Sequence, residues 1–138
     1  NIFLNKTMET IRRNDICKIQ IKKGKSGTRE LLEYFKKGYS IALMIDQRVS
    51  EGIQVKFFNR SAYTTTIPAQ LIKKYNCEVV PIYIYRLNNF YFKMKVYEPI
   101  KFKDELSQEN ITQELNYKIE KMITKNPDQW IWSHDRWK

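Results

Sequence analysis

His134 is the single histidine of the chain, so any Ser-His, Cys-His or His-carboxylate chemistry within these residues has to use it. Asp135 stands next to it, but adjacent residues of an extended segment point to opposite sides. A structural, hydrogen-bonding role therefore suits His134 better than a catalytic one. Gly24-Lys25-Ser26-Gly27-Thr28 is a second place to look, because a Gly-rich turn into a helix can aim several amides at an anion. The nucleotide-binding form of such a loop requires another Gly five residues before Gly24, and Ile19 stands there. The turn reads as a helix entry, with a generic anion contact as the alternative. Cys17 and Cys77 are isolated and lack metal-ligand spacing, which favours free thiols in a reducing compartment.

Asp46 is the most suggestive carboxylate. It ends the apolar run Ile41-Ala42-Leu43-Met44-Ile45 and opens the longest polar stretch of the chain. A carboxylate at the end of a buried strand is costly unless it is paired. Asp46 is thus expected to orient a basic residue, Arg48 or Arg60 being nearest in sequence, or to accept a hydrogen bond from a ligand. The aromatic tail from Trp130 to Lys138 suits either a membrane interface or packing back onto the core, and packing is the preferred reading.

The elements that would position these groups follow from periodicity. Cys17 to Lys22 alternates as a half-buried strand does, and Gly24 to Gly27 forms a turn. A helix capped by Ser26 carries Leu31, Leu32 and Phe35 and stops at Gly38. Tyr39 to Ile45 reads as a central strand, and Asp46 to Ala62 as a long loop containing at most one short strand. Pro68 opens a helix that carries Leu71, Ile72 and Tyr75 to Asn76. Val79 to Tyr85 is a second buried strand, Asn88-Asn89 a turn, and Phe90 to Tyr97 its antiparallel neighbour. A last helix runs from Ser107 to Lys125 with Ile111, Leu115, Ile119, Met122 and Ile123 on one face. This order predicts an α/β fold.

A length of 138 residues suits one domain. The chain shows no signal peptide and no apolar run of about 20 residues. The formal charge of +10, from 25 basic and 15 acidic residues, implies an anionic partner such as nucleic acid, phospholipid headgroups or an acidic carrier protein. The basic residues are scattered from Lys6 to Lys138 rather than set in a stripe, which weakens the nucleic-acid reading.

Two segments together are more specific than any single motif. Asp46-Gln47 leads through Gly52 to Phe57-Phe58-Asn59-Arg60-Ser61-Ala62-Tyr63-Thr64, and Asn126-Pro127-Asp128-Gln129-Trp130-Ile131-Trp132-Ser133-His134-Asp135-Arg136-Trp137-Lys138 ends the chain. Both resemble the late acyltransferases of lipid A biosynthesis, and Val79-Val80-Pro81-Ile82 and the helix with Asn116, Ile119 and Glu120 follow that pattern in order. The resemblance implies a glycerolipid-acyltransferase-like mixed sheet flanked by helices, incomplete at its N-terminus, with residues 1–138 as the C-terminal portion of one acyltransferase domain.

The implied activity is transfer of a fatty acyl chain from acyl carrier protein to a hydroxyl of a lipid A precursor, at the cytoplasmic face of the inner membrane and without a cofactor. The wider superfamily uses a His with an acidic residue four or five positions on, and no such pair occurs here, so the chain is expected to be inactive alone. Substrate contacts are implied for Asp46, Gln47, Arg48, Phe57, Phe58, Arg60 and Thr64, with Arg13 and Lys25 as further contacts to anionic groups. The implied partners are acyl carrier protein, the lipid A precursor and an anionic membrane surface, and not nucleic acid. The alternatives are a non-catalytic module binding a membrane surface or a basic module binding nucleic acid.

Overall fold

The computed structural model describes residues 2–21 and 25–137. It divides into two compact units, residues 1–42 and 43–138. In the first, α1 (Ile2–Ile11) runs into a π-helical turn (Arg12–Ile16), closed where Cys17 N–H donates to the Arg12 carbonyl at 2.8 Å. The strand expected over Cys17 to Lys22 does not form across the described residues 17–21. The alternation is present, but no described segment supplies a backbone neighbour, and the Gln20 side chain donates instead to the Cys17 carbonyl at 2.9 Å.

Helix α2 spans Lys25–Lys36. It already includes Lys25, so Ser26 sits inside the first turn rather than capping it. Gly24, the start of the expected turn, lies outside the described residues, and Gly27 is helical. The helix does stop at Gly38. Gly38 takes a φ of +86°, its N–H donates to the Phe35 carbonyl, and the Tyr39 N–H reaches back to the Tyr34 carbonyl at 3.1 Å. This is the left-handed glycine ending of a helix.

The apolar run from Ile41 to Ile45 forms no strand, and Met44 is 80% exposed. A central strand needs ladder partners on both sides, and among the described residues this run has none.

The second unit is built on two hairpins and two helices. Strands β1 (Ile53–Phe57) and β2 (Arg60–Thr64) pair antiparallel, with Phe57 opposite Arg60. The region expected to be mostly loop is therefore a hairpin. Its two turn residues, Phe58 and Asn59, have φ of 48° and 59°, as a type I′ turn requires. Gly52 precedes β1, and a Cβ there would collide with the Thr64 backbone. Only glycine allows the chain to pass so close.

Helix α3 (Ile67–Tyr75) opens with Pro68 in its first turn and ends at Asn76 in the left-handed region. Strands β3 (Ile82–Asn88) and β4 (Tyr91–Val96) form the second hairpin, with an irregularity between Arg86 and Asn88. Val79, expected within the strand, makes only an isolated bridge to Ile100. Helix α4 (Gln108–Ile123) is capped by Ser107, whose Oγ accepts from the Asn110 N–H at 3.1 Å.

One core joins Ala69 and Ile72 of α3 to Ile111 and Leu115 of α4, and the other joins Phe57 and Ala62 to Ile123. The α/β class holds, in the form of two separate antiparallel hairpins. Among the described residues no helix is long and apolar enough to cross a membrane.

Candidate functional site

The site is assembled where the C-terminal tail folds over β1–β2 and α4. After α4 the chain makes two 3₁₀ turns, Pro127–Gln129 and Trp132–His134, which lay Trp130 and Trp137 against Phe57, with ring centroids 5.7 and 5.8 Å away. Trp137 Nε1 donates to the Phe57 carbonyl at 2.8 Å, and Arg60 stacks on the Trp137 ring at 5.2 Å. The turn residue Phe58 is fixed from the other side, because its N–H donates to Glu120 Oε1 at 2.8 Å. A bulky residue at positive φ is a strained placement, and the Glu120 carboxylate together with the Phe57 and Trp132 rings holds it.

Beneath the tail lies a buried polar knot. Arg136, fully buried, donates through Nη2 to Thr64 Oγ1 at 2.7 Å and through Nη1 to the Tyr63 carbonyl. Asn116 Nδ2, also buried, is shared between Thr64 Oγ1 at 3.1 Å and the Lys56 carbonyl at 3.0 Å. Burial pulls the Arg136 guanidinium below its ordinary pKa, and the charge of Asp46 opposes that shift. A guanidinium is not deprotonated in proteins, so the group stays a cation. The tail is thus pinned by a buried cation whose field reaches Asp46.

Asp46 itself is half-buried and accepts a hydrogen bond from Trp130 Nε1 at 3.2 Å. Its hydrogen-bond partner is therefore an indole of the tail rather than Arg48 or Arg60. Arg48 and Arg60 are exposed in the same unit. Asp46 and Gln47 line a cavity of about 470 Å³, walled also by residues of β3, α4 and the tail, His134 included.

Phe57 and Thr64 are buried in the core and the polar knot, so they support the site from below instead of facing a ligand. Arg13 is exposed on the π-helical turn, and Lys25 begins α2, both in the first unit. Among the described residues no group of three or more His, Cys, Asp or Glu side chains is placed to hold a metal ion. Cys17 and Cys77 are free thiols.

Sequence reasoning missed Arg136, Asn116 and Trp130 as parts of the site. The available signal was Asn116, an amide directly after Leu115 on the mainly apolar buried side of α4, which it shares with Thr112. Buried amides are kept only where they find partners, so Asn116 marked a polar contact beneath α4.

No curated protein matches the chain. The model of the family described as bacterial lipid A biosynthesis acyltransferase matches residues 1–138, the whole chain. The chain belongs to the bacterial lipid A biosynthesis acyltransferase family.

Proposed function

We propose that the chain serves the transfer of a fatty acyl group from acyl carrier protein to a hydroxyl of a lipid A precursor, at the cytoplasmic face of the bacterial inner membrane. Residues 1–138 carry the acceptor side of that reaction, and the general base comes from outside them. The acceptor oxygen attacks the thioester carbonyl, the C–O bond forms as the C–S bond breaks, and the hydroxyl proton passes through the base to the departing thiolate. His134 is followed directly by Asp135 and has Lys138 four positions on, an arrangement that does not fit the base.

The observation that carries this reading is Asp46, a half-buried carboxylate held by Trp130 on the wall of a cavity, with Gln47 beside it. Arg48 and Arg60 in the second unit, and Arg13 and Lys25 in the first, would meet phosphates or an acidic partner. Basic groups near an anionic surface contribute on the order of 1 kcal/mol each. Phe57, Phe58 and Thr64 keep the hairpin and tail in place for these contacts.

Asp46→Asn tests the reading, since it preserves shape and removes charge. In the full-length enzyme the variant should fold and reach the membrane, yet lose acyl transfer by at least about tenfold, or roughly 1.4 kcal/mol. Unchanged activity would reduce Asp46 to a partner for Trp130. The 138-residue chain alone should show only background transfer, and robust turnover abolished by His134→Ala would overturn the assignment of the base.

A further inference from the structure

Where the chain reverses between β3 and β4, Phe90, Tyr91 and Leu87 are 92, 71 and 58% exposed. Single exposed apolar side chains are ordinary on a protein surface, but a cluster of them at one tip marks a contact. The base of this tip is held. Gln129 of the tail exchanges hydrogen bonds with both backbone groups of Arg86, and the Arg86 guanidinium stacks on the Phe92 ring at 5.0 Å. The rings are thus presented outward on a fixed ribbon.

The charge around the tip has one sign. From Val79 to Tyr97 the charged residues are Arg86, Lys93 and Lys95, with no acidic residue among them. Lys95 and Lys93 stand opposite Tyr83 and Tyr85 in the ribbon, and alternation sets them on the other face from Ile82, Ile84, Met94 and Val96. An apolar tip with Tyr beside it and cations behind it suits an anionic lipid surface. The rings enter the boundary between headgroups and acyl chains while the cations stay with the phosphates. A second copy of the chain suits it less, because a two-fold contact through this patch sets like charges against each other.

We propose that the β3–β4 tip, Leu87 to Tyr91, inserts into the headgroup region of an anionic phospholipid leaflet, with Arg86, Lys93 and Lys95 on its phosphates. The proposal rests on the acyl-transfer reading for one point, the choice of the bacterial inner membrane as that leaflet. Gln129 lines the same cavity as Asp46, so insertion holds that cavity at the lipid surface.

The test is co-sedimentation of the 138-residue chain with vesicles of phosphatidylcholine alone and of an equimolar mixture with phosphatidylglycerol. The mixed vesicles should bind at least about tenfold more tightly. In Phe90→Trp the added indole should shift its emission to the blue on binding and be quenched by lipids spin-labelled near the headgroup. Phe90→Ser and Leu87→Ser should each weaken binding by about fivefold or more, with unchanged urea midpoints because both side chains are exposed. Lys93→Gln and Lys95→Gln combined should weaken it by about tenfold or more and flatten its salt dependence.

No sedimentation with the mixed vesicles overturns the proposal. So does binding that survives both serine variants at full strength, or bound Phe90→Trp whose emission does not move. A concentration-dependent dimer abolished by Phe90→Ser would assign the tip to a second copy instead. The full-length enzyme separates this proposal from the proposed function. Its Phe90→Ser variant should lose acyl transfer to acceptor embedded in vesicles and keep it toward acceptor dispersed in detergent. Equal loss on both, or on neither, would sink the tip assignment alone, whereas insertion of the tip by an enzyme that transfers no acyl group would sink the proposed function alone.

Discussion

In the β1–β2 hairpin Phe57 and Ala62 are 0% and 2% exposed, whereas along β3–β4 Ile82, Ile84, Met94 and Val96 all remain more than half exposed. Both are two-stranded antiparallel ribbons with two-residue turns, and isolated ribbons of this kind are marginal in water. The first is covered by α4 and the aromatic tail. Its β1 edge is also closed by Gln113, whose amide exchanges hydrogen bonds with Lys56 N–H at 2.8 Å and Lys56 C=O at 3.0 Å. Gln129 does the same for Arg86 on β3, at 2.7 and 3.1 Å, but Ile82 and Ile84 stay exposed on the wall of the cavity rather than packed against α4 or the tail. An edge can be sealed by one side chain, while a face needs a whole element.

That contrast can be broken most directly at Phe57. Phe57→Ala removes a fully buried ring packed against Trp130 and Trp137 and should cost about 3–5 kcal/mol of stability, read from the midpoint of urea unfolding. A cost below about 1 kcal/mol would mean that the tail does not cover this hairpin in solution.

Arg136→Gln comes next. It removes the cation while leaving Tyr63 C=O and Thr64 Oγ1 with a shorter, neutral donor, and should cost about 1.5–3 kcal/mol, the range for hydrogen bonds to charged groups. Thermal melts read that loss, and limited proteolysis of the variant should clip the tail faster. Unchanged stability would show that the polar knot contributes nothing that packing does not already supply.

The smallest effect is expected at Ile84. Ile84→Ser lies on the exposed face of β3 and should stay within about ±0.5 kcal/mol, as surface substitutions do. A loss as large as that of Phe57→Ala would show that something covers this face in solution, and the comparison between the hairpins would fail.

Several elements were legible because they rest on local chemistry. Pro68 and Asn76 bound α3, Ser107 caps α4, and Gly38 ends α2, each through the backbone preference of one residue. The stripe of Ile111, Leu115 and Ile123 identified the buried face of α4 before any partner was known. The hairpin at Phe58-Asn59 was missed because Phe at positive φ is a poor turn signal. It is held there by Glu120, a residue 62 positions away. The strands expected at Cys17 to Lys22 and Ile41 to Ile45 had the right residues and found no ladder partner, which no local pattern can reveal.

The sequence by itself determined where α3 and α4 start, where α2 and α3 stop, which face of α4 is apolar, and, through its two motif blocks, the family. Only the tertiary structure decided that Asp46 answers to Trp130 rather than to Arg48 or Arg60, that Arg136 is the buried cation, and that one hairpin is covered while the other is not. Capping and periodicity act over a few residues and are written in order along the chain. Burial and hydrogen-bond partnership join residues up to 84 positions apart, and the closing of the chain alone selects which of the possible partners meet.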